Sequence, residues 1–410
     1  MRSALLAAAA VAGFALPASA QTGAAPEMKS VSALAFGPDG VLFVGDPTAA
    51  AVFAVQTGDT KAGGTGAVDL ERVDAKIAAV LGTTDKDVRI QDFKVNPASG
   101  NVYVAVTRGA GAGTPALVRV TRAGKVEPVS LKDAKVTSVT LPNPASGKGA
   151  ATVITSMAFV DGKLIVAGLS NEAFASTLRV IPYPFTSADK GAGIEIFHGA
   201  HNKIETHAPI RTFTTYKVDG KETIMAAYTC TPLVKVPLSE LTPGAKVKGT
   251  TIAELGNGNQ PLDMIVYAKG GKDYLLVANN KRGVMKIATE GFGSAAAITA
   301  KLDRIPSGVP YTTVAELKDK LATFGNLCRE LGICHSALAV VTDYDAGVDR
   351  PGTAPVTQDE VYAAFAAMMP QIRGIIVGVL ASLDRERACD CDAATNGLTP
   401  DPPHDLVGPG

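Results

Sequence analysis

Three of the five histidines of this chain, His198, His201 and His207, lie within ten residues of one another in the segment FHGAHNKIETHAPI. Glu205 lies in the same segment. Imidazole nitrogens and carboxylate oxygens are ligands of zinc and other divalent metal ions. The segment is therefore a candidate metal site, although its spacing matches no established metal signature. The alternative is a polar loop whose histidines hydrogen-bond to the backbone.

Other polar residues stand beside apolar runs. Cys230, in AYTCTPLV, is a candidate nucleophile or ligand, or else a small buried apolar residue, because the sequence places no base beside it. Asp263 precedes MIVY, and Asn279 and Asn280 follow LLVA. We expect these residues at strand ends, where they either line a channel or cap turns.

The first 20 residues, MRSALLAAAAVAGFALPASA, are typical of a secretory signal peptide. Arg2 supplies a positive charge, an apolar run of about a dozen residues follows, and Ala18-Ser19-Ala20 is a cleavage motif. The mature chain is expected to begin at Gln21 and to be periplasmic or secreted. A buried N-terminal helix is the alternative.

Composition excludes some classes of partner. Lys plus Arg and Asp plus Glu number 39 each, and no basic patch stands out, so we expect no nucleic-acid partner. No later stretch reaches the roughly 18 apolar residues of a membrane span. The five cysteines are too few and too scattered for a dense disulfide framework.

A repeating unit occupies the centre of the chain. Each copy is an alternating strand, a tight turn with Gly, Asn or Asp, and a second strand, and the copies start about 50 to 65 residues apart. The five copies are 31–53, 90–120, 154–180, 212–236 and 261–287. A further β-rich run follows each hairpin. Units of three or four strands at this period predict a mainly β fold, a β-propeller of about five or six blades.

The sixth blade would combine residues 298–314 with a strand near the mature N-terminus, and an open sandwich is the alternative to the propeller. The hairpins AFGPDGVLFVGD and MAFVDGKLIVAG resemble those of NHL and gluconolactonase-like propellers. That resemblance is one of texture and implies no activity. We expect a small-molecule ligand or a protein partner at the central channel.

The periodicity changes after Val314. Apolar residues at helical spacing, a short apolar run at 336–342 and a long amphipathic stretch at 361–383 predict a short α/β segment. The expected organisation is a signal peptide at 1–20, a propeller at 21–318 and a C-terminal fragment at 319–410.

The segments LCRELGICHSALAVVTDYDAGV and VTQDEVYAAFAAMMPQIRGIIVGVL, with the tail CDCDAATNGLTPDPP, resemble the C-terminal end of the methylthioadenosine and purine nucleoside phosphorylase family. The resemblance implies that Asp343 assists the departing purine at N7 and that Asp345 recognises a 6-amino group, with phosphate as co-substrate. The family's phosphate-binding and ribose-binding parts have no counterpart in residues 21–312.

Three functions remain open from the sequence. The first is an exported propeller that binds a ligand or acts as a scaffold. The second is a metal-dependent propeller hydrolase or lactonase, which would use the histidine segment or Asp263. The third is a nucleoside phosphorylase that depends on Asp343 and Asp345.

Overall fold

The computed structural model describes residues 27–63, 72–111, 113–132, 134–230 and 232–314. By packing, the chain divides into two compact units, Met1–Leu321 and Ala322–Gly410. The signal peptide and the predicted C-terminal α/β segment lie outside the described residues, so both stay predictions. The described part of the first unit is mainly β-structure, and its strands form five sheets.

The strands of the first sheet are not consecutive in the chain, because the whole second sheet lies between its third and fourth strands. Blade 1 begins with β1 (Leu34–Phe36), β2 (Val41–Asp46) and β3 (Ala51–Gln56), and helix α1 (Val73–Leu81) follows. Blade 2 contains β4 (Val88–Val95), β5 (Val102–Arg108), β6 (Thr114–Val120) and β7 (Val126–Pro128). Strand β8 (Val136–Thr140) then returns to blade 1, where it pairs with β3. The outer strand of blade 1 is therefore supplied from beyond blade 2.

The remaining sheets follow one another. Blade 3 contains β9 (Ser156–Val160), β10 (Lys163–Leu169), β11 (Ser176–Pro182), β12 (Ala192–His198) and β13 (Lys203–Glu205). Blade 4 contains β14 (Thr212–Val218), β15 (Lys221–Ala227) and β16 (Pro232–Pro237); β17 (Lys246–Lys248) joins β12 of blade 3, and β18 (Thr250–Glu254) joins β16. Blade 5 contains β19 (Pro261–Lys269), β20 (Lys272–Asn279) and β21 (Gly283–Ala288).

The last two strands belong to existing blades. Strand β22 (Ser307–Gly308) pairs with β18, and β23 (Thr312–Thr313) pairs with β21. The stretch 298–314 thus extends blades 4 and 5, which corrects the expectation of a sixth blade made from it. Short 3-10 helices lie at Pro38–Gly40, Asp85–Asp87, Gly147–Thr152, Leu238–Glu240 and Thr289–Gly291.

The predicted hairpins form because their turn residues accept a left-handed backbone. In the β9–β10 turn Asp161 has φ +48° and Gly162 has φ +76°, and the β14–β15 turn repeats this with Asp219 and Gly220. Two positive φ values in succession give the twist that joins antiparallel strands tightly, and Asp and Gly tolerate them best. The prediction of a mainly β propeller is confirmed, with five blades.

The order of the blades around the ring differs from their order in the chain. The Leu34 amide of β1 donates to Asp92 of β4, and the Phe213 amide of β14 donates to the Ser156 hydroxyl of β9. The Thr212 hydroxyl donates to Asp263 of β19, and β1 packs beside β9. These contacts order the blades as 2, 1, 3, 4 and 5, and an ion pair between Lys94 of β4 and Asp263 of β19 links blade 5 to blade 2.

Four apolar layers hold neighbouring blades together, as expected for sheets that each bury both faces. They lie between blades 2 and 1, 1 and 3, 3 and 4, and 4 and 5. A fully buried side chain such as Leu42 or Phe43 contributes about 1.5–3 kcal/mol to such a layer. The other face of blade 2 packs on Ile77 of helix α1. Within the described ranges, none of these buried layers joins blade 5 to blade 2.

Candidate functional site at the inner strands

A charged cluster lies where blades 5 and 2 meet at the inner strands. Lys94 of β4 places its Nζ 3.4 Å from Asp92 Oδ1 and 3.2 Å from Asp263 Oδ2 of β19. The three side chains are partly exposed, at 28%, 18% and 35% for Lys94, Asp92 and Asp263. A dissolved ligand therefore has access to all three. We refer to these residues as the inner-strand cluster.

Two β-bulges set the orientation of the two aspartate side chains of this cluster. The pairing of β4 with β5 shifts between Ile90 and Asp92, and the pairing of β19 with β20 shifts between Pro261 and Asp263. A bulge inserts one residue and redirects the side chains beyond it. Each acid is thus the first paired residue after its bulge.

Burial and neighbouring charges set the protonation of the cluster. Burial raises the pKa of Asp92 to about 6, although Lys94 and the Leu34 amide, 2.8 Å from Oδ2, both favour the ionised form. Burial also acts to lower the pKa of Lys94, but the Asp92 and Asp263 carboxylates outweigh it and raise that pKa. The lysine therefore stays charged at neutral pH, while Asp92 titrates just below neutrality.

The sequence predicted one member of this cluster and missed two. Asp263 was expected at a strand end, where it would line a channel or cap a turn; it is the third residue of β19, and its carboxylate lies beside Lys94. Asp92 and Lys94, in QDFKV, were not singled out. The available signal was their alternation, since residues two apart in a strand share a face. Two opposite charges on one face of an inner strand indicate a polar channel wall.

The histidine segment runs from the outer edge of blade 3 toward β14, the inner strand of blade 4. His198 ends β12 and is buried, with its Nδ1 3.4 Å from Glu205 Oε2 and its Nε2 3.6 Å from Glu254 Oε2. Burial lowers the pKa of His198 and raises the pKa of Glu254 to about 7, even though the Gly199 amide donates to Glu254. The His198 imidazole thus lies between two carboxyl groups.

The other two histidines are exposed. The His201 ring lies edge-on to the His198 ring at 4.4 Å, and His207 Nδ1 lies 2.9 Å from the Thr206 hydroxyl. Across the described part of the chain, no group of three or more His, Cys, Asp and Glu residues is placed to hold a metal ion. A divalent metal on these histidines stays a prediction.

The remaining polar candidates make local contacts. Cys230 is a half-buried free thiol in the β15–β16 turn, where its φ is +60° and its amide donates to Asn259. The Asn279 side-chain oxygen accepts from the Lys281 and Arg282 amides, and that of Asn280 accepts from the Gln260 amide. Asn279 therefore caps the β20–β21 turn, whereas Asn280 binds the segment that precedes β19. Asp343 and Asp345 lie outside the described residues.

Comparison with known proteins confirms a partial resemblance to nucleoside phosphorylases. The purine nucleoside phosphorylase of Streptomyces coelicolor is 40% identical over 76 residues, 18% of this chain and 26% of that protein. The S-methyl-5'-thioadenosine phosphorylase of Mycolicibacterium smegmatis is 38% identical over 63 residues, 15% of this chain and 24% of that protein. The chain thus spans about a quarter of the length of these relatives. No protein-family model matches it.

Solved structures similar to the chain include propellers. The extracellular domains 1-2 of Drosophila semaphorin 1b cover 72% of this chain and 80% of theirs, at 12% identity and TM-score 0.32. A virginiamycin B lyase of Staphylococcus aureus covers 70% and 74%, at 12% identity and TM-score 0.25. At these scores neither structure says anything about the ligand of this chain, and the propeller assignment is based on the five sheets themselves.

Among the described residues, no helix is both long enough and apolar enough to cross a membrane.

Proposed function

We propose that this chain is an exported β-propeller that binds a small molecule at the inner-strand cluster. The observation that carries the proposal is the position of Lys94 between two carboxyl groups from two different blades. The inner strands of blades 1 and 3, LAF and SMAFV, carry no charged side chain, and that of blade 4, TFTTYKV, carries Lys217 alone. A partly exposed, charged group of residues at a propeller's inner strands is a reasonable ligand site.

The charged side chains of the cluster are partly buried but still reach solvent, and this combination also favours the binding of a ligand. A buried ion pair pays a large desolvation cost, so it contributes little to stability by itself. Clusters of this kind are more common at functional sites than elsewhere. The cluster offers an ammonium donor and carboxyl acceptors within one patch, which suits a polar or charged group of a ligand.

A ligand screen tests the proposal. A thermal-shift screen of small polar metabolites is run on the mature chain and on Lys94→Met and Asp263→Asn. We expect at least one compound to stabilise the wild-type chain and to bind about tenfold or more weakly to both variants, because each removes a charge-assisted contact. Lys125→Met, which removes an exposed charge at the outer edge of blade 2, is the matched control and should bind normally. Equal binding by all four proteins would contradict the proposal.

A second candidate is purine nucleoside phosphorolysis by the C-terminal fragment. The partial identity to two phosphorylases supports it, together with the resemblance that implies roles for Asp343 and Asp345. Phosphate-dependent release of free base from methylthioadenosine or inosine would support this function, and its loss in Asp343→Asn would assign it. Absence of base release from both nucleosides would exclude it. A metal-dependent hydrolase has no comparable support among the described residues.

A further inference from the structure

The guanidinium group of Arg179, on β11 of blade 3, is buried and largely unpaired. The residue is 0% exposed, and its Nη2 donates to the Pro142 carbonyl at 3.2 Å. Its Nε and Nη1 have no hydrogen-bond partner in the described part of the chain. Burial lowers the pKa of Arg179 to about 10, against the opposing effect of the Asp189 and Glu172 charges. Because a buried charge without a close partner is strongly unfavourable, an anion beside this group would stabilise the fold.

A cavity of about 100 Å³ on the outer strands of blade 3 adjoins this arginine. Thr177 lines the cavity and lies on the same face of β11 as Arg179, since the two are two residues apart in one strand. Gly191, another lining residue, lies against the arginine stem, because a Cβ added there would be 2.7 Å from Arg179 Cγ. Glu172, whose charge acts on the guanidinium, also lines the cavity. The arginine therefore lies directly behind the cavity wall. We call this space the blade 3 cavity.

Two lysines bring further positive charge to the blade 3 cavity. Lys190 and Lys246, the first residue of β17, both line it. The Lys190 ammonium group lies at the Gly244 wall, where an added Cβ would be 3.2 Å from Lys190 Nζ. The Lys246 Nζ lies 5.0 Å from the centre of the Phe174 ring, which also lines the cavity. Both lysines are exposed, so a dissolved ion reaches them directly.

The acids near the blade 3 cavity do not balance its positive charge. Glu172 accepts from the Asn143 side chain at 2.8 Å, and Asp189 accepts from the Gly191 amide at 2.6 Å. Three cationic side chains stand against these two carboxylates, namely Arg179, Lys190 and Lys246. The excess of one positive charge favours an anion over a cation or a neutral ligand.

We propose that the blade 3 cavity binds a phosphate group, free or as an ester, between Lys190 and Lys246 and in front of Arg179. The oxygens of a phosphate group accept from several cationic donors at once, which suits two ammonium groups backed by a guanidinium. The cavity lies on β11, β12 and β17, the outer strands of blade 3, and not at the inner-strand cluster. It is therefore a second site, and it stands or falls independently of the proposed function.

Thermal-shift titration of the mature chain tests the inference with inorganic phosphate and glycerol phosphate, and chloride keeps the ionic strength constant. We expect both phosphates to raise the melting temperature along a saturable curve, with a dissociation constant of about 1 mM or below. A lower dissociation constant for glycerol phosphate would identify an ester as the ligand, and the reverse would identify the free ion. No saturable shift with either phosphate would overturn the inference.

Variants locate the binding and exclude a general salt effect, since phosphate also stabilises proteins by exclusion from their surface. Lys190→Met and Lys246→Met should each weaken phosphate at least about fivefold, and Arg179→Met should weaken it as well. Lys163→Met, which removes an exposed charge at the start of β10 in the same blade, is the matched control and should bind normally. The two lysines are exposed, so their variants decide the matter even where Arg179→Met does not fold. Equal stabilisation by phosphate in Lys190→Met and Lys246→Met, or an equal loss in Lys163→Met, would overturn the inference.

Discussion

Asp92 shows how the environment of one residue controls its chemistry. Its side chain is mostly buried and lies beside Lys94. Its carboxylate accepts a hydrogen bond from the Leu34 amide. Burial raises its pKa to about 6. The folded chain therefore holds this proton more tightly than the unfolded chain does, and the stability of the fold is linked to the pH.

The sign of this linkage gives a prediction. A carboxyl group with a raised pKa stabilises the fold fully below about pH 4, the value of a free aspartate, and its contribution is lost as the pH rises through about 6. The expected loss between pH 4 and pH 7 is on the order of 1–3 kcal/mol. Urea unfolding across this range should show that Asp92→Asn lacks this part of the slope. Asp74→Asn, on the exposed side of helix α1, is the control. A slope that persists unchanged in Asp92→Asn would contradict the assignment.

At the scale of elements, buried side chains fasten the loops and ends of blades. Asp46 ends β2 and is fully buried. Its carboxylate accepts from the Lys29 amide at 2.6 Å, from the Ser30 hydroxyl and from the Ala49 amide. One residue therefore holds the N-terminal segment and the β2–β3 turn of blade 1 together.

Loss of the Asp46 carboxylate should destabilise the fold. Asp46→Ala leaves the Lys29 and Ala49 amides and the Ser30 hydroxyl without the buried carboxylate that accepts from all three, so we expect a loss of about 2–4 kcal/mol in the free energy of unfolding. Hydrogen exchange should show faster exchange in residues 27–33 and in the β2–β3 turn than elsewhere. Asp303→Ala, at an exposed position, should change stability little. Uniform exchange in Asp46→Ala would contradict a local role.

The sequence allowed the hairpins to be predicted, but not their assembly. Asp161-Gly162 and Asp219-Gly220 signal tight turns locally, and the alternation of the flanking residues identifies the strands. The return of β8 to blade 1 and the position of blade 2 between blades 1 and 5 depend on contacts far apart in the chain. The inner-strand cluster was missed for the same reason, because Lys94 and Asp263 are 169 residues apart. The two bulges that aim its acids leave no distinct local pattern.

At the scale of the whole molecule, the two ends and the centre of the chain resemble three unrelated kinds of protein segment. The N-terminal 20 residues are typical of export, the described centre is a five-bladed propeller, and about a quarter of a phosphorylase is matched by a short segment. Each part has its own test, and the parts do not have to act together.

Export predicts a defined N-terminus. Expression of the full chain in a bacterium with a periplasm should give a protein in the periplasmic fraction whose first residue is Gln21, as read by intact mass and N-terminal sequencing. Replacement of the cleavage motif, Ala18→Asp together with Ala20→Asp, should leave the longer precursor. A cytosolic protein that begins at Met1 would contradict export.

The most direct test of the central claim is a crystal structure of the mature chain with the compound that the screen selects. The account predicts density for that compound at the junction of blades 2 and 5, with a polar group of the ligand within hydrogen-bonding distance of Lys94, Asp92 or Asp263. Density at Asp343 and Asp345 instead, or beside His198, would contradict the assignment of the functional site to the inner strands.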